Sequence, residues 1–259
     1  MKSRGFTLIE MIITLIIVAV IALGIAGFVQ YGTLGFAQTV ERQKLHTQAQ
    51  FVLQKMTREI RHAVPNSFSQ PISITARQCL SFYPIKFSGF YALSGENDTS
   101  MDFIVGQESW SDWIAVGPGN TPEIKMVINP TSSQSLDDNS FAVNTLVNSS
   151  SSSCLFDADN DIGALSDGVD CQISALNEES VANRFYMYEP SQQITYCFDS
   201  ANEMLYRNDI PLADSVTFSY LAYEPPSLNQ NALVHIEMKM YYQDEQSTYQ
   251  QEVQVLNVP

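Results

Sequence analysis

The first 28 residues, MKSRGFTLIEMIITLIIVAVIALGIAGF (residues 1–28), join a basic leader to an apolar run that contains one carboxylate, Glu10. From Met11 to Val29 only one threonine and two glycines interrupt the large apolar residues and alanines. A helix of this length crosses about 30 Å of hydrocarbon. An ionised side chain inside lipid is costly and usually has a partner, and the apolar run offers Glu10 none.

The residues on either side of the apolar run indicate its orientation. Lys2 and Arg4 precede it, and basic flanking residues stay in the cytoplasm, so the rest of the chain is expected outside. A secretory signal peptide shares this basic start, but no small-residue cleavage site of the A-x-A kind follows the run. The stretch therefore predicts a membrane helix that carries an ectodomain.

Composition narrows the classes of function. A chain of 259 residues has room for an anchor and one domain of ordinary size with an insertion. Its 13 basic and 28 acidic residues give a formal net charge of −15, which repels phosphates and disfavours nucleic-acid binding.

The segment Gly5–Glu10, with the sequence GFTLIE between a basic leader and an apolar helix, resembles the processing motif of type IV prepilins and type II secretion pseudopilins. This resemblance implies that a prepilin peptidase cuts between Gly5 and Phe6 and that Phe6 is then N-methylated. Glycine suits the cut site because it lets the backbone approach a catalytic centre closely.

The same resemblance gives Glu10 a role. Cleavage places the new amine of Phe6 in the membrane, and Glu10 neutralises the amine of an adjacent subunit, which relieves two costly charges together. The alternative is a glutamate at the membrane interface, favoured by the positive end of the helix dipole.

Short stretches point to one branch of this superfamily. The start MKSRGFTLIEMIITL and the end QEVQVLNVP resemble minor pilins that accompany mannose-sensitive haemagglutinin (MSHA) pili, of the MshO type. This implies a structural subunit, not an enzyme, that contacts other minor pilins and the major pilin to initiate or cap a pilus. It would lie in the bacterial inner membrane with its ectodomain in the periplasm, and then near the pilus tip. A tip adhesin for a glycan or surface and a type II secretion pseudopilin are the alternatives.

The domain organisation follows from the helix. We predict a leader at 1–5, a transmembrane half-helix at 6–31, an extracytoplasmic half at 32–64 and a β-rich ectodomain at 65–259 with an insertion at about 130–171. Gly32 and Gly35 weaken the helix, so a bend or melted turn is expected there. Beyond them one apolar stripe continues until Pro65 and requires a sheet to cover it; its residues are Leu45, Ala49, Val52, Met56, Ile60 and Ala63.

The C-terminal third alternates with the period of strands. In LVHIEMKMYY apolar and polar residues alternate, QDEQS turns the chain, and TYQQEVQVL resumes the alternation, which predicts an antiparallel hairpin. ITYCFD, a SAN turn and EMLYR predict another hairpin, and VTFSYLAY a further strand. The fold class is therefore α+β, a long N-terminal helix on an antiparallel sheet.

The insertion contains an acidic segment, CLFDADNDIGALSDGVDC, between Cys154 and Cys171. Its carboxylates are hard oxygen ligands at the density that calcium requires, and the candidate ligands are Asp157, Asp159, Asp161 and Asp167. The match to an EF-hand loop fails further on, because Ile162 stands at the position of the turn glycine and Gly168 at that of the closing glutamate. The alternative is a solvated acidic loop.

The four cysteines all follow the membrane segment, which fits disulfides in an oxidising compartment. Four cysteines allow three connectivities. We predict Cys154 with Cys171, closing the acidic loop, and Cys79 with Cys197, tying the segment after the helix to a strand. The rival interpretation is a free nucleophilic cysteine.

No segment carries a catalytic signature or a phosphate-binding glycine loop. His46 and His62 lie on the long helix without a second ligand at metal spacing and are predicted at its surface or boundary; His235 lies on an alternating strand. Trp110 and Trp113 are candidates to contact a sugar or a partner subunit, with the sheet core as the alternative.

Overall fold

The N-terminal stretch forms one long helix. In the computed structural model, helix α1 runs from Leu8 to Arg61, 54 residues. The structure describes residues 7–74, 77–94, 100–106, 123–142, 179–227, 231–242 and 245–255. Within them α1 is the one helix long and apolar enough to cross a membrane.

The helix continues through Gly32 and Gly35, so the melted turn expected there does not occur. Two threonine hydroxyls donate to carbonyls of the preceding turn, Thr33 to Val29 at 2.9 Å and Thr39 to Gly35 at 2.8 Å. Each glycine costs about 1 kcal/mol relative to alanine, whereas opening a turn would forfeit several backbone hydrogen bonds of similar worth. The continuous helix is therefore the more stable arrangement.

The C-terminal end of α1 lies three residues before the predicted boundary at residue 64. The amide of Val64 donates to the carbonyl of Tyr83, and the amide of Ile85 donates to the carbonyl of His62, both at 2.8 Å. Ala63 and Pro84 form an isolated antiparallel bridge between these bonds. The chain leaves the helix because residues 62–64 pair with 83–85.

The chain divides after Gln50 into two compact units. The described part of the first unit is helical apart from Thr7, and nearly all of its large apolar side chains before Glu41 are exposed. The apolar stripe predicted along the helix is confirmed, because all of its residues are buried: Leu45, Ala49, Val52, Met56, Ile60 and Ala63.

The second unit, residues 51–259, contains antiparallel sheets. In chain order its strands are β1 (Ser69–Ile74), β2 (Arg77–Phe82), β3 (Phe87–Ser94), β4 (Ser100–Val105), β5 (Lys125–Ile128), β6 (Phe141–Ala142), β7 (Arg184–Tyr188), β8 (Ile194–Asp199), β9 (Met204–Arg207), β10 (Ile210–Ala213), β11 (Val216–Glu224), β12 (Leu233–Tyr242) and β13 (Glu245–Gln254). A short helix α2 (Ser133–Asn139) and a 3-10 turn (Pro190–Gln192) complete the described elements. The α+β class is thus confirmed.

The described strands form three sheets, where the sequence predicted one. The sheet orders are β1-β2-β8-β9-β10, β11-β12-β13 and β4-β3-β7-β5-β6. Both predicted hairpins are present, β8 with β9 and β12 with β13, and β11 is the predicted additional strand. Residues of β12 alternate between buried and half-buried as predicted over its first eight positions. Strand β13 begins at Glu245, so it includes three of the five residues expected to turn.

The start of the predicted insertion belongs to the fold. Helix α2 and strand β6 both lie between residues 130 and 142, and β6 pairs with β5. Leu136 of α2 is buried in a core cluster with Val64, Val127, Tyr186 and Tyr188. Burial of this leucine attaches α2 to the β4-β3-β7-β5-β6 sheet, so residues 130–142 pack as part of the described fold.

A disulfide joins Cys79 and Cys197, as predicted. The two residues are direct cross-strand partners on β2 and β8, with Cα atoms 4.1 Å apart. Two residues along, Arg77 and Asp199 are also partners, and the Arg77 Nε donates to Asp199 Oδ2 at 2.9 Å. The segment after the helix is therefore held to β8 by a covalent bond and an ion pair.

We expect the double substitution Cys79→Ala/Cys197→Ala to lower the free energy of unfolding by about 4–5 kcal/mol. The bond links residues 118 apart in sequence, and in the chain-entropy estimate a loop of about 100 residues contributes near this amount. Urea unfolding of the full chain in detergent measures the difference. Reductant should narrow the gap between wild type and variant; a gap below about 1 kcal/mol would contradict the prediction.

Candidate functional site

The described part of the N-terminal site begins at Thr7. The carbonyl of Thr7 accepts hydrogen bonds from the amides of Glu10 at 3.1 Å and Met11 at 3.3 Å, so it opens the first turn of α1. Glu10 is then the third residue of the helix, where the positive end of the helix dipole favours a carboxylate. Gly5 and Phe6 lie outside the described residues.

Glu10 has no basic side chain near it on the helix. After Glu10 the next basic residue is Arg42, 32 positions later (42 − 10), which is about 48 Å along a helix of about 1.5 Å per residue. The Glu10 side chain is exposed, as are the large apolar side chains around it. No basic side chain that follows Glu10 on the helix is therefore close enough to neutralise this carboxylate.

The exposed apolar surface has the composition of a membrane or filament contact. Its side chains include Leu8, Ile9, Met11, Leu15, Val18, Ile21, Leu23, Phe28, Tyr31, Phe36 and Val40. Thr14, the one polar side chain between Met11 and Val29, donates its hydroxyl to the Met11 carbonyl at 2.9 Å, so its hydrogen bond is made within the helix. Burial of this surface in lipid or against other helices would remove a large apolar area from water.

A second polar cluster lies within the second unit, residues 51–259, and was not predicted from the sequence. Glu59 Oε2 accepts from the Tyr196 hydroxyl at 2.6 Å and from Arg207 Nε at 2.9 Å. Glu59 Oε1 lies 2.9 Å from Lys55 Nζ, one turn earlier on α1. Since Tyr196 is on β8 and Arg207 on β9, the carboxylate ties the last turns of the helix to that hairpin.

The cluster has defined protonation states. Burial acts to raise the pKa of the Glu59 carboxyl, but hydrogen bonds from Arg207, Tyr196 and Lys55 together outweigh it, so that pKa lies below its ordinary value. Burial, the hydrogen bond to Glu59 and the charge of Glu59 raise the pKa of the Tyr196 phenol. Tyr196 therefore remains a proton donor and Glu59 an ionised acceptor.

We expect Glu59→Gln to lower the free energy of unfolding by about 2 kcal/mol at neutral pH, because hydrogen bonds to a charged group are lost. The folded-state pKa of Glu59 is lowered, so its contribution is fully present above the ordinary value of 4.5 and is lost as the pH falls through the folded-state value. Urea unfolding at pH 7 and in strong acid measures this.

The control is Glu203→Gln, which changes an exposed glutamate in the turn before β9. Its stability should match wild type at both pH values. A deficit in Glu59→Gln that stays constant with pH would contradict an ionised Glu59.

The remaining predicted site residues fall into two groups. The first group lies outside the described residues. It comprises the candidate calcium ligands Asp157, Asp159, Asp161 and Asp167, the tryptophans Trp110 and Trp113, and the cysteines Cys154 and Cys171. Within the described ranges no three His, Cys, Asp or Glu side chains are grouped to hold a metal ion. His46 and His62 are exposed on or just after α1, as predicted.

His235 lies on the outer face of the β11-β12-β13 sheet. Its Nε2 is 3.3 Å from Glu224 Oε1 and its Nδ1 is 3.4 Å from Glu252 Oε1. The imidazole thus stands between carboxylates of both neighbouring strands. Each ring nitrogen faces a different carboxylate, so the side chains of all three strands of this sheet meet at His235.

Residues 1–26 match the family described as the prokaryotic N-terminal methylation motif. This motif indicates a type IV pilin or pseudopilin and implies processing by a prepilin peptidase and assembly into a pilus-like structure. The apolar helix that follows suits a membrane anchor. No curated protein and no solved structure matches the chain.

Proposed function

We propose that the chain is a minor pilin, a structural subunit that initiates or caps a type IV pilus of the MSHA kind. The observation that carries the proposal is the methylation motif at residues 1–26, which overlaps the start of a helix of 54 residues whose first half is apolar and exposed. The MSHA assignment, of the MshO type, rests on the resemblance of the two chain ends.

The proposed pathway uses the residues of that helix. A prepilin peptidase cuts between Gly5 and Phe6 and methylates the new amine, while the apolar helix holds the subunit in the inner membrane. Glu10 then pairs with the amine of an adjacent subunit, which guides the helix into a growing filament. The ectodomain waits in the periplasm and reaches the cell exterior near the pilus tip, in contact with other minor pilins and the major pilin.

The size of the ectodomain favours a place at an end of the filament. Residues 51–259 form one unit with three sheets, a bulky head for a densely packed shaft. A subunit at the tip has neighbours on one side only and accommodates this bulk. We therefore place the chain among initiating or capping subunits.

Deletion of the gene tests the proposal. Loss of all surface pili is the expected result, because an initiating subunit is needed before the shaft can grow. Normal piliation with lost adhesion would favour a tip adhesin, and lost export of secreted proteins with pili intact would favour a type II secretion pseudopilin. Complementation with the wild-type gene controls for effects on neighbouring genes.

We further propose calcium binding by the acidic loop that contains Asp157, Asp159 and Asp161, closed by a Cys154–Cys171 disulfide. Calcium would relieve the repulsion between these carboxylates. At about a hundredfold excess over Kd, binding would stabilise the fold by roughly 2.7 kcal/mol and raise the melting temperature by several degrees.

Thermal unfolding of the full chain in detergent, with calcium and then with chelator, measures this effect. Asp159→Ala should abolish the calcium response at matched ionic strength, which matters because salt also screens the net charge of −15. If calcium raises the melting temperature of wild type and Asp159→Ala equally, or of neither, the loop is a solvated acidic loop and the calcium proposal is wrong.

A further inference from the structure

Most sheet edges in the described part of the chain carry a feature that blocks further strand pairing. Strands β1 and β10 each contain a proline and a register irregularity. Strand β6 has only two residues. On β11 the side chain of Gln78 donates to the Leu221 carbonyl at 3.1 Å, and β4 is only six residues long. Such features prevent edge-to-edge association.

Strand β13 is an outer strand that, among the described residues, has no proline and no register shift, and its two charged residues, Glu245 and Glu252, lie at or near its ends. It is ten residues long and pairs with β12 at every position without a register shift. It contains no proline and no lysine, and residues 246–251 are uncharged. A long, regular edge whose central residues are uncharged is a template for an added strand.

The two faces of β13 differ in their surroundings. Ser247 and Gln251 lie on the inner face, opposite Met240 and Ile236 of β12, and are half-buried. Thr248 and Gln250 lie on the outer face, opposite Lys239 and Glu237, and are exposed. An added strand would therefore cover inner positions such as Ser247 and leave Thr248 on the surface.

The outer face of this sheet is acidic. It carries Glu224, Glu237 and Glu252 against Lys239 and His235. The chain as a whole has a net charge of −15. Pairing of β13 with a second copy of itself would bring two acidic faces side by side, whereas a basic strand would face opposite charges.

We propose that β13 accepts an extended basic segment of another protein as a fourth strand of the β11-β12-β13 sheet. Main-chain hydrogen bonds to β13 supply the affinity, apolar side chains of the segment extend the inner face, and its lysines or arginines meet the acidic outer face. This surface is independent of the proposed pilus role, since it uses none of the residues of the N-terminal motif.

A synthetic peptide of alternating valine and lysine with blocked ends is the probe, with the full chain held in detergent. Binding is measured by fluorescence anisotropy. In an extended peptide the N–H groups of alternate residues point to opposite edges, and only one edge bonds to β13. N-methylation along that edge should weaken binding at least about tenfold, whereas N-methylation along the opposite edge should hardly change it. A peptide with glutamate in place of lysine should bind far more weakly. Equal effects of the two methylations would overturn strand addition.

Two substitutions on β13 provide the matched pair. Ser247→Lys puts a charge on the inner face, where an added strand would have to bury it, and should weaken peptide binding about tenfold or more. Thr248→Lys makes the same change of charge on the exposed face and should weaken it no more than about threefold. Equal losses would show that charge alone attracts the peptide and would overturn the proposal.

Gln251→Lys repeats the inner-face test at a second position, and urea unfolding identifies any variant that is destabilised. Failure of both inner-face variants to weaken binding in a folded chain would overturn the proposal. Self-association of wild type that Ser247→Lys abolishes, without peptide binding, would instead assign the edge to a second copy of this chain.

Discussion

A chain carrying Gly5→Val is expected to keep residues 1–5, whereas the wild-type chain is expected to start at N-methylated Phe6. The added side chain keeps the backbone from the close approach that cleavage requires. A displacement of about 1 Å at a catalytic centre lowers a rate about a hundredfold, so processing should fall to a trace. Intact-mass measurement of protein extracted from membranes distinguishes the two chains.

Gly24→Val is the matched control. It makes the same change within the apolar helix, where a Cβ at Gly24 meets no atom within 4 Å. This variant should insert and be cleaved like wild type. If wild type instead starts after Ala22 or Ala26, the segment is a signal peptide and the pilin interpretation is wrong.

The C-terminal strands could be predicted because each has one buried and one exposed face. Along β12, Val234, Ile236, Met238 and Met240 point inward and their neighbours outward, which gives a period of two. The stripe on α1 was readable for the same reason, since it too has a single buried face.

The third sheet could not be predicted in this way. In β7 four of five residues are buried, and in β5 three of four, so neither strand alternates. Short apolar runs of this kind do not separate a buried strand from a buried helix. Division into three sheets depends on pairings between distant strands, such as β2 with β8, which no local pattern encodes.

The N-terminal site could be predicted from a local pattern in the sequence, whereas the Glu59 cluster could not. GFTLIE is contiguous, and its chemistry depends on the order of residues along the chain, so the sequence is sufficient to identify it. Glu59 lies 137 residues from Tyr196 and 148 from Arg207. The sequence shows only that Glu59 is a charged residue beside the buried stripe on α1. That pattern does not identify the residues that bind it.

Glu10→Val should remove the subunit from filaments while leaving insertion and cleavage intact. Valine suits lipid better than glutamate, and Gly5 and Phe6 are unchanged, so the peptidase still has its site. In the filament, however, the amine that Glu10 would neutralise is left unpaired. A charge within the membrane costs about 2.5 kcal/mol or more, which corresponds to roughly a seventyfold loss of incorporation.

Recovery of the subunit in sheared pili, normalised to its amount in membranes, measures this loss. Thr14→Val is the control, because it also removes a polar group from the apolar segment but only a bond within the helix, from the Thr14 hydroxyl to the Met11 carbonyl. Glu10→Gln keeps the shape without the charge and should fail like Glu10→Val, whereas Glu10→Asp should retain part of the function. Since a glutamate retained only for the helix dipole would tolerate all three substitutions in assembly, normal recovery of Glu10→Gln would exclude pairing with a subunit amine.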